Sequence, residues 1–348
     1  MRKSLGCSLA YLAVAIALTL PVAAAQGDQR ALAVGHGERL LVVAPHPDDE
    51  TLGAGGLVQR VHAQSGSVRI VLITAGDGYV EAVVHETGKP RPRPAEYIRY
   101  GERRLLEARA AARQLAPDGG VRLQFLGFPD SGLEVLLRAH WWRSRPERSA
   151  TTHAADPPYV EALEPECPYD GDDLRRELGN ILREFQPMLI AFPDPHDVHP
   201  DHHASGLFTM LAITDWLGEV KEGAAEPRLL SYLIHWPDWP TGWQTPVPQP
   251  QADRVPLELP PQLQQEGAVR ILTLTDQELA TKRAALGKHV TQQERMATFL
   301  AAFVRRTEPF RLVTYRQVQR EVTTIERHIP RTPGYHDTTG SPAPGTSR

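Results

Sequence analysis

Short, continuous apolar runs alternate with stretches of helical periodicity along most of the chain. Leu40-Leu41-Val42-Val43-Ala44 is a β-branched-rich run stopped by Pro45 and Pro47, and such a run reads as a strand buried on both faces. Thr51 to Gln64 follows with Leu52, Leu57, Val58 and Val61 at helical spacing. The alternation then repeats: strands over Val68–Thr74, Val121–Leu126 and Met188–Phe192, helices over Tyr97–Leu115, Asp172–Phe185 and Ala204–Leu217. Leu229–Ile234 and Val269–Leu274 are further strand candidates. Asp276 to about His289 and Gln293–Arg305 are further helices. Strands alternating with helices predict an α/β protein with a mostly parallel sheet.

The segments that break this alternation carry their own expectations. Residues 80–95 turn polar, with Pro90, Pro92 and Pro94 interleaved with Lys89, Arg91 and Arg93, and read as a solvated loop. Residues 138–170 lack a sustained period and contain Trp141, Trp142 and Cys167, which predicts a long surface insertion of the lid or binding-loop kind. A second insertion, rich in Trp, Pro and Gln, lies near 235–266. Its tryptophans, with Trp141 and Trp142, are candidates for lining a binding site or for packing. The Pro, Gly, Thr and Ser of 327–348 predict a disordered tail.

Residues 1–25 read as a signal peptide: Arg2 and Lys3, an apolar stretch from Leu9 to Leu20, then Ala23-Ala24-Ala25. The expectation is an exported protein, periplasmic or secreted, with no membrane span after cleavage and one domain over 26–326. The whole chain has 38 basic and 42 acidic residues. Removing Arg2 and Lys3 with the signal leaves 36 minus 42, or −6, which gives no basic patch for nucleic acid. Cys167 becomes the sole cysteine, so stability must come from the core rather than from an internal disulfide.

Chemistry concentrates at two strand ends. His46-Pro47-Asp48-Asp49-Glu50 follows the first strand, and His196-Asp197-Val198-His199-Pro200-Asp201-His202-His203 follows the fourth. Carboxylates at a helix N-terminus also serve as caps. A histidine three residues before an aspartate, however, offers imidazole and carboxylate on one turn, ordinary ligation for catalytic zinc. Two parallel strands ending in such residues put a metal site at the strands' C-terminal ends, where open α/β sheets bind ligands. The predicted fold is thus a Rossmann-like three-layer α/β sandwich, with His196, His202 and His203 as rivals for the third ligand.

His46-Pro47-Asp48-Asp49-Glu50-Thr51-Leu52-Gly53 and His199-Pro200-Asp201-His202 together resemble the two motifs of the PIG-L/LmbE family of metal-dependent N-acetylglucosaminyl deacetylases. Weaker likenesses lie at Arg104 to Ala108, at Phe128-Pro129-Asp130, and from Lys282 through His289-Val290-Thr291-Gln292. The resemblance implies His46, Asp49 and His202 as ligands of Zn²⁺, though Fe²⁺ also suits two imidazoles and a carboxylate. It implies Asp48 as general base toward metal-bound water. It makes His199 the group that polarises the amide carbonyl, with Asp201 holding that imidazole protonated, and puts Arg104 and Asp130 on the substrate. Asp197 stands where some family members have tyrosine. The implied reaction removes the N-acetyl group from an amino sugar in an extracytoplasmic glycan or glycoconjugate. A metallo-amidase acting on a non-sugar acyl amide, or a carbohydrate-binding protein without catalysis, are the competing readings; oligomeric state is not legible.

Overall fold

The computed structural model describes residues 30–219, 225–240 and 251–329. The expected signal peptide, Trp243 and most of the expected tail lie outside them. In chain order the elements are β1 (Arg39–Ala44), α1 (Asp49–Ala63), β2 (Ser67–Thr74), α2 (Val80–Thr87), α3 (Pro94–Leu115), β3 (Val121–Phe128), α4 (Leu133–Arg138), α5 (Gly171–Phe185) and β4 (Leu189–Pro193). There follow α6 (Pro200–Glu219), β5 (Arg228–Tyr232), α7 (Gln251–Arg254), α8 (Pro261–Gln265), β6 (Ala268–Thr273), α9 (Asp276–Leu286), α10 (Val290–Ala301), β7 (Thr307–Val313) and α11 (Tyr315–Glu326).

The strands form one sheet in the order β3-β2-β1-β4-β5-β7-β6. The first five are parallel, and β7 runs antiparallel to both β5 and β6. Period-two alternation along β1 makes the three layers. Leu40, Val42 and Ala44 face a core shared with α1, α3 and α9, while Leu41 and Val43 face one shared with α4, α5, α6 and α11. From β1 the chain winds outward through β2 to β3, then returns to β4 on the other side. The C-terminal ends of β1 and β4 therefore flank the switch point at which such sheets open a crevice.

Several elements depart from the sequence expectation. Residues 80–87 form α2 rather than loop: Ala82 and Val83 pack against Tyr97 and Tyr100, and Gly88 ends the helix in the left-handed conformation. The proline alternation governs only the residues after it. Strand β7 and helix α11 lie outside the elements read from the sequence, and β7 carries Pro309, a residue uncommon in interior strands. The 138–170 segment is irregular but packed. Trp141 is buried and stacks on Phe208 of α6 with centroids 5.8 Å apart, and Tyr159, Cys167 and Tyr169 are buried too. Trp239 is also buried, donating its indole N–H to the Glu258 carbonyl.

Candidate metal centre and active site

The turn after β1 is built around a strained residue. Asp48 has φ 137°, a conformation that costs a side-chain-bearing residue roughly 1–3 kcal/mol and persists only where the surroundings impose it. Here they do. Arg104, buried on α3, donates to the Pro47 carbonyl at 2.7 Å and to the Gly76 carbonyl at 2.8 Å. Gly76 has φ +66°, and a Cβ there would lie 1.9 Å from the guanidinium. Glu50 accepts the Asp48 amide at 2.9 Å and lies 3.3 Å from His289. The conformation aims Asp48 into the crevice and starts α1 at Asp49.

Farther along α1 a buried ion pair grips the helix backbone. Lys282 Nζ donates to the Leu52 carbonyl at 2.8 Å and to Glu308 Oε1 at 2.6 Å. Glu308 in turn accepts the Gly56 and Leu57 amides at 2.6 and 2.9 Å. The ion pair thus ties α1, through the Leu52 carbonyl and the Gly56 and Leu57 amides, to α9 and β7. Gly53 lets the same helix approach Tyr232, whose ring would lie 2.4 Å from an added Cβ.

The turn after β4 supplies the other half. Asp194 is fixed by Arg311 and Ser231, and Asp197 accepts the amides of His199, Ile234 and His235 at 2.9 Å each. Helix α6 then starts at Pro200 and sends the fully buried His202 inward. His196 pairs instead with Asp194 and Glu266, and His203 lies against the Pro195 carbonyl.

His46 Nδ1, Asp49 Oδ2 and His202 Nε2 consequently form a triangle with sides of 3.1, 3.2 and 3.3 Å. A tetrahedral zinc with ligands at about 2.0–2.1 Å separates them by about 3.3–3.4 Å, so the donor set fits such an ion. The far nitrogens are held as ligating histidines usually are. His46 Nε2 lies 3.2 Å from Asp130 and 3.3 Å from Asp201, and His202 Nδ1 lies 3.3 Å from Asp197. Burial disfavours charge on both imidazoles, yet the carboxylates outweigh it. They raise His46 well above its ordinary value and His202 to about 10, while the two histidines hold Asp49 well below the carboxylate range. The pocket favours positive charge, which a divalent ion supplies in place of two protons.

Burial pushes the Asp48 carboxyl up to about 6, with Arg104, 3.5 Å away, opposing. His199 is pushed down to about 3 by burial and by the neighbouring His46, His202 and His235, which leaves its imidazole neutral. The Asp201 amide donates to His199 Nδ1 at 3.2 Å, so the ring's proton belongs on Nε2. The Asp201 carboxylate is not what holds His199. It accepts the amides of Ser131 and Leu133 at 2.6 and 3.0 Å, beside His46. Arg104 and Asp130 line the cavity, but their polar atoms are directed to protein groups: backbone carbonyls for the first, His46 and the Gly78 amide for the second.

The crevice encloses a cavity of about 320 Å³ with His46, Asp48, Asp49 and His199 at its polar end and Met296 and Phe299 of α10 opposite. No tryptophan lines it among the described residues; its aromatic surface comes from Tyr79 and from Phe299, on which the His235 ring stacks at 5.4 Å. His235 was missed from the sequence although it follows β5 as His46 follows β1, and its position past a parallel strand was the available signal. Glu308 offered none.

An α/β protein that brings two imidazoles and a carboxylate together at its switch point carries a candidate metal site, and the comparisons with known proteins narrow it. The family described as "PIG-L: GlcNAc-PI de-N-acetylase" matches residues 41–213. The chain carries a PIG-L family domain over these residues. It is 28% identical over 277 residues to the 1D-myo-inositol 2-acetamido-2-deoxy-alpha-D-glucopyranoside deacetylase of Rhodococcus jostii, covering 73% of this chain and 81% of that one. The protein so named in Tsukamurella paurometabola is 32% identical over half of this chain, and the match spans 54% of its length. Among solved structures, N,N'-diacetylchitobiose deacetylase from Pyrococcus horikoshii is similar, with TM-score 0.47 and 20% identity over 80% of this chain and 84% of that one.

Proposed function

We propose that this protein is a metal-dependent N-deacetylase that removes the acetyl group from an N-acetylated amino sugar. One observation carries the reading: His46, Asp49 and His202 converge within 3.3 Å of one another beside Asp48, on an open cavity. The named activities of the R. jostii and T. paurometabola relatives support an acetamido-sugar substrate.

Zn²⁺ suits the donor set, as does Fe²⁺. Held by His46, Asp49 and His202, such an ion supplies Lewis acidity that lowers the pKa of water and polarises the amide oxygen. The chain's own groups do the rest. Asp48, with its carboxyl near pKa 6, takes the proton of the attacking water and delivers it to the leaving nitrogen. His199 donates its Nε2 proton as a hydrogen bond to the oxygen on which negative charge develops. Asp130, Asp201 and Asp197 hold the two ligand imidazoles in orientation. Water and acetamide give acetate and a free amine.

The apolar wall of Leu52, Met296 and Phe299 favours a second reading, an amidase for a non-sugar acyl amide. We place the reaction outside the cytoplasm, which the basic, apolar and small-residue pattern of 1–25 supports. Acetate release from a panel of N-acetylamino sugars, glycoconjugates and acyl-peptides tests both readings. Release from sugars alone is the expected result; release from peptides alone overturns the sugar assignment.

A further inference from the structure

Outside the residues that line the crevice, the 138–170 segment meets α5 at a second group of metal-type ligands. Cys167 Sγ and carboxylate oxygens of Glu164 and Glu177 lie within 4.8 Å of one another. Glu177 is the anomaly. Its side chain is wholly buried, neither carboxylate oxygen has a well-formed hydrogen bond, and the polar group that faces it is the Cys167 thiol. A buried carboxylate without a donor costs several kcal/mol unless something of opposite charge reaches it.

The neighbouring cation does not. Arg176 grips Glu164 through both terminal nitrogens at 2.9 and 2.8 Å, reaches Asp173 at 2.7 Å and touches Cys167 Sγ at 3.6 Å, with no hydrogen bond to Glu177. Arg143 is committed to Asp173. The other contact of the thiol is the Pro168 carbonyl at 3.9 Å. With Cys167 as thiolate, Glu164, Asp173, Glu177 and Cys167 give four negative charges against two from Arg143 and Arg176. That excess of two is what a divalent ion neutralises, and Asp170, with one buried oxygen also unpartnered, adds to it.

We propose that Cys167, Glu164 and Glu177 form a second divalent-cation site, distinct from the crevice, that fastens the 138–170 segment to α5. A thiolate with two carboxylates selects a borderline ion such as Zn²⁺ over Mg²⁺ or Ca²⁺. The clamp matters to the crevice because the same segment sends Tyr159 to hydrogen-bond Asp77, at the end of β2. Without an ion, burial pushes Glu177 up to about 8 and the thiol well above its ordinary value. Binding therefore releases protons and tightens as pH rises.

The test is an anaerobic cadmium titration of the reduced, chelator-treated full chain, with Cys7→Ser in every protein including the one taken as wild type so that Cys167 is the sole thiol, following metal content and the ultraviolet thiolate-to-cadmium charge-transfer band. The site requires that band in the wild type, with a second equivalent bound beyond the crevice site. Cys167→Ala should lose the band and one equivalent, and Glu177→Gln should weaken that equivalent at least about tenfold, a loss of about 1.4 kcal/mol. A His46→Ala/His202→Ala variant should keep the band. Its absence from the wild type, or equal stoichiometry in wild type and Cys167→Ala, overturns the proposal; the wild-type spectrum decides even if a variant fails to fold.

Discussion

Replacing Lys282 by Met tests how the metal-bearing helix is braced. Lys282 is wholly buried and Glu308 is 1% exposed. Truncation strands a carboxylate whose remaining partners are the Gly56 and Leu57 amides, and it frees the Leu52 carbonyl from its 2.8 Å bond. Breaking one side of a buried ion pair costs about 3–5 kcal/mol, a fifth or more of the roughly 5–15 kcal/mol that typically holds a domain together. Removing both partners is a different perturbation. In Lys282→Met/Glu308→Leu no charge is stranded, and the Leu52 carbonyl and Gly56 amide stand at the i, i+4 spacing of an ordinary helical hydrogen bond. The double variant should then lie within about 1–2 kcal/mol of wild type, giving a coupling energy of at least about 2 kcal/mol. Urea unfolding midpoints of the four proteins, metal-free, measure this. A single variant costing less than about 1 kcal/mol, or a double costing the sum of both singles, would refute the brace.

Three further outcomes follow from the same geometry. Gly53→Ala drives a Cβ to 2.4 Å from Tyr232 and should destabilise by about 1–3 kcal/mol, read as a lowered Tm. Arg104→Lys cannot hold the Pro47 and Gly76 carbonyls together with a planar fork. It should cut kcat about 10²-fold by misplacing Asp48, with metal content unchanged; loss of metal instead would assign Arg104 to folding. Burial, then Asp130, raises Asp77 from 3.8 to about 7, so the folded state binds that proton more tightly than the unfolded one. Stability should fall as pH rises through that window. Asp77→Asn, whose oxygen can still accept from Tyr159, should flatten the slope between pH 4 and 7, and an unchanged slope would count against a buried, protonating Asp77.

The parallel strands and the two chemical turns were legible because burial on both faces leaves continuous apolar runs, and because ligands cluster where those runs stop. His202 could be favoured over His196 and His203 only through the resemblance. In the structure, the register of α6 turns it inward, while its neighbours meet Glu266 and Pro195. What escaped the sequence depends on contacts distant along the chain. Glu308 acts on a helix some 250 residues earlier, and Asp201 serves His46 rather than the histidine two positions before it. Trp141 gave no local sign that Phe208 would cover it. The helix at 80–87 was hidden by the prolines beyond it, which set the end of the element rather than its nature.

The central claim is that Asp48 carries the proton while His46, Asp49 and His202 hold the ion. Metal content and acetate release, measured side by side on wild type, Asp48→Asn and His202→Ala with an N-acetylglucosaminide, test it most directly. Asp48→Asn should retain its metal and lose about 10²-fold or more of the rate, whereas His202→Ala should lose metal and rate together. An Asp48→Asn protein that deacetylates at the wild-type rate, or a His202→Ala protein that keeps its ion, would contradict the account.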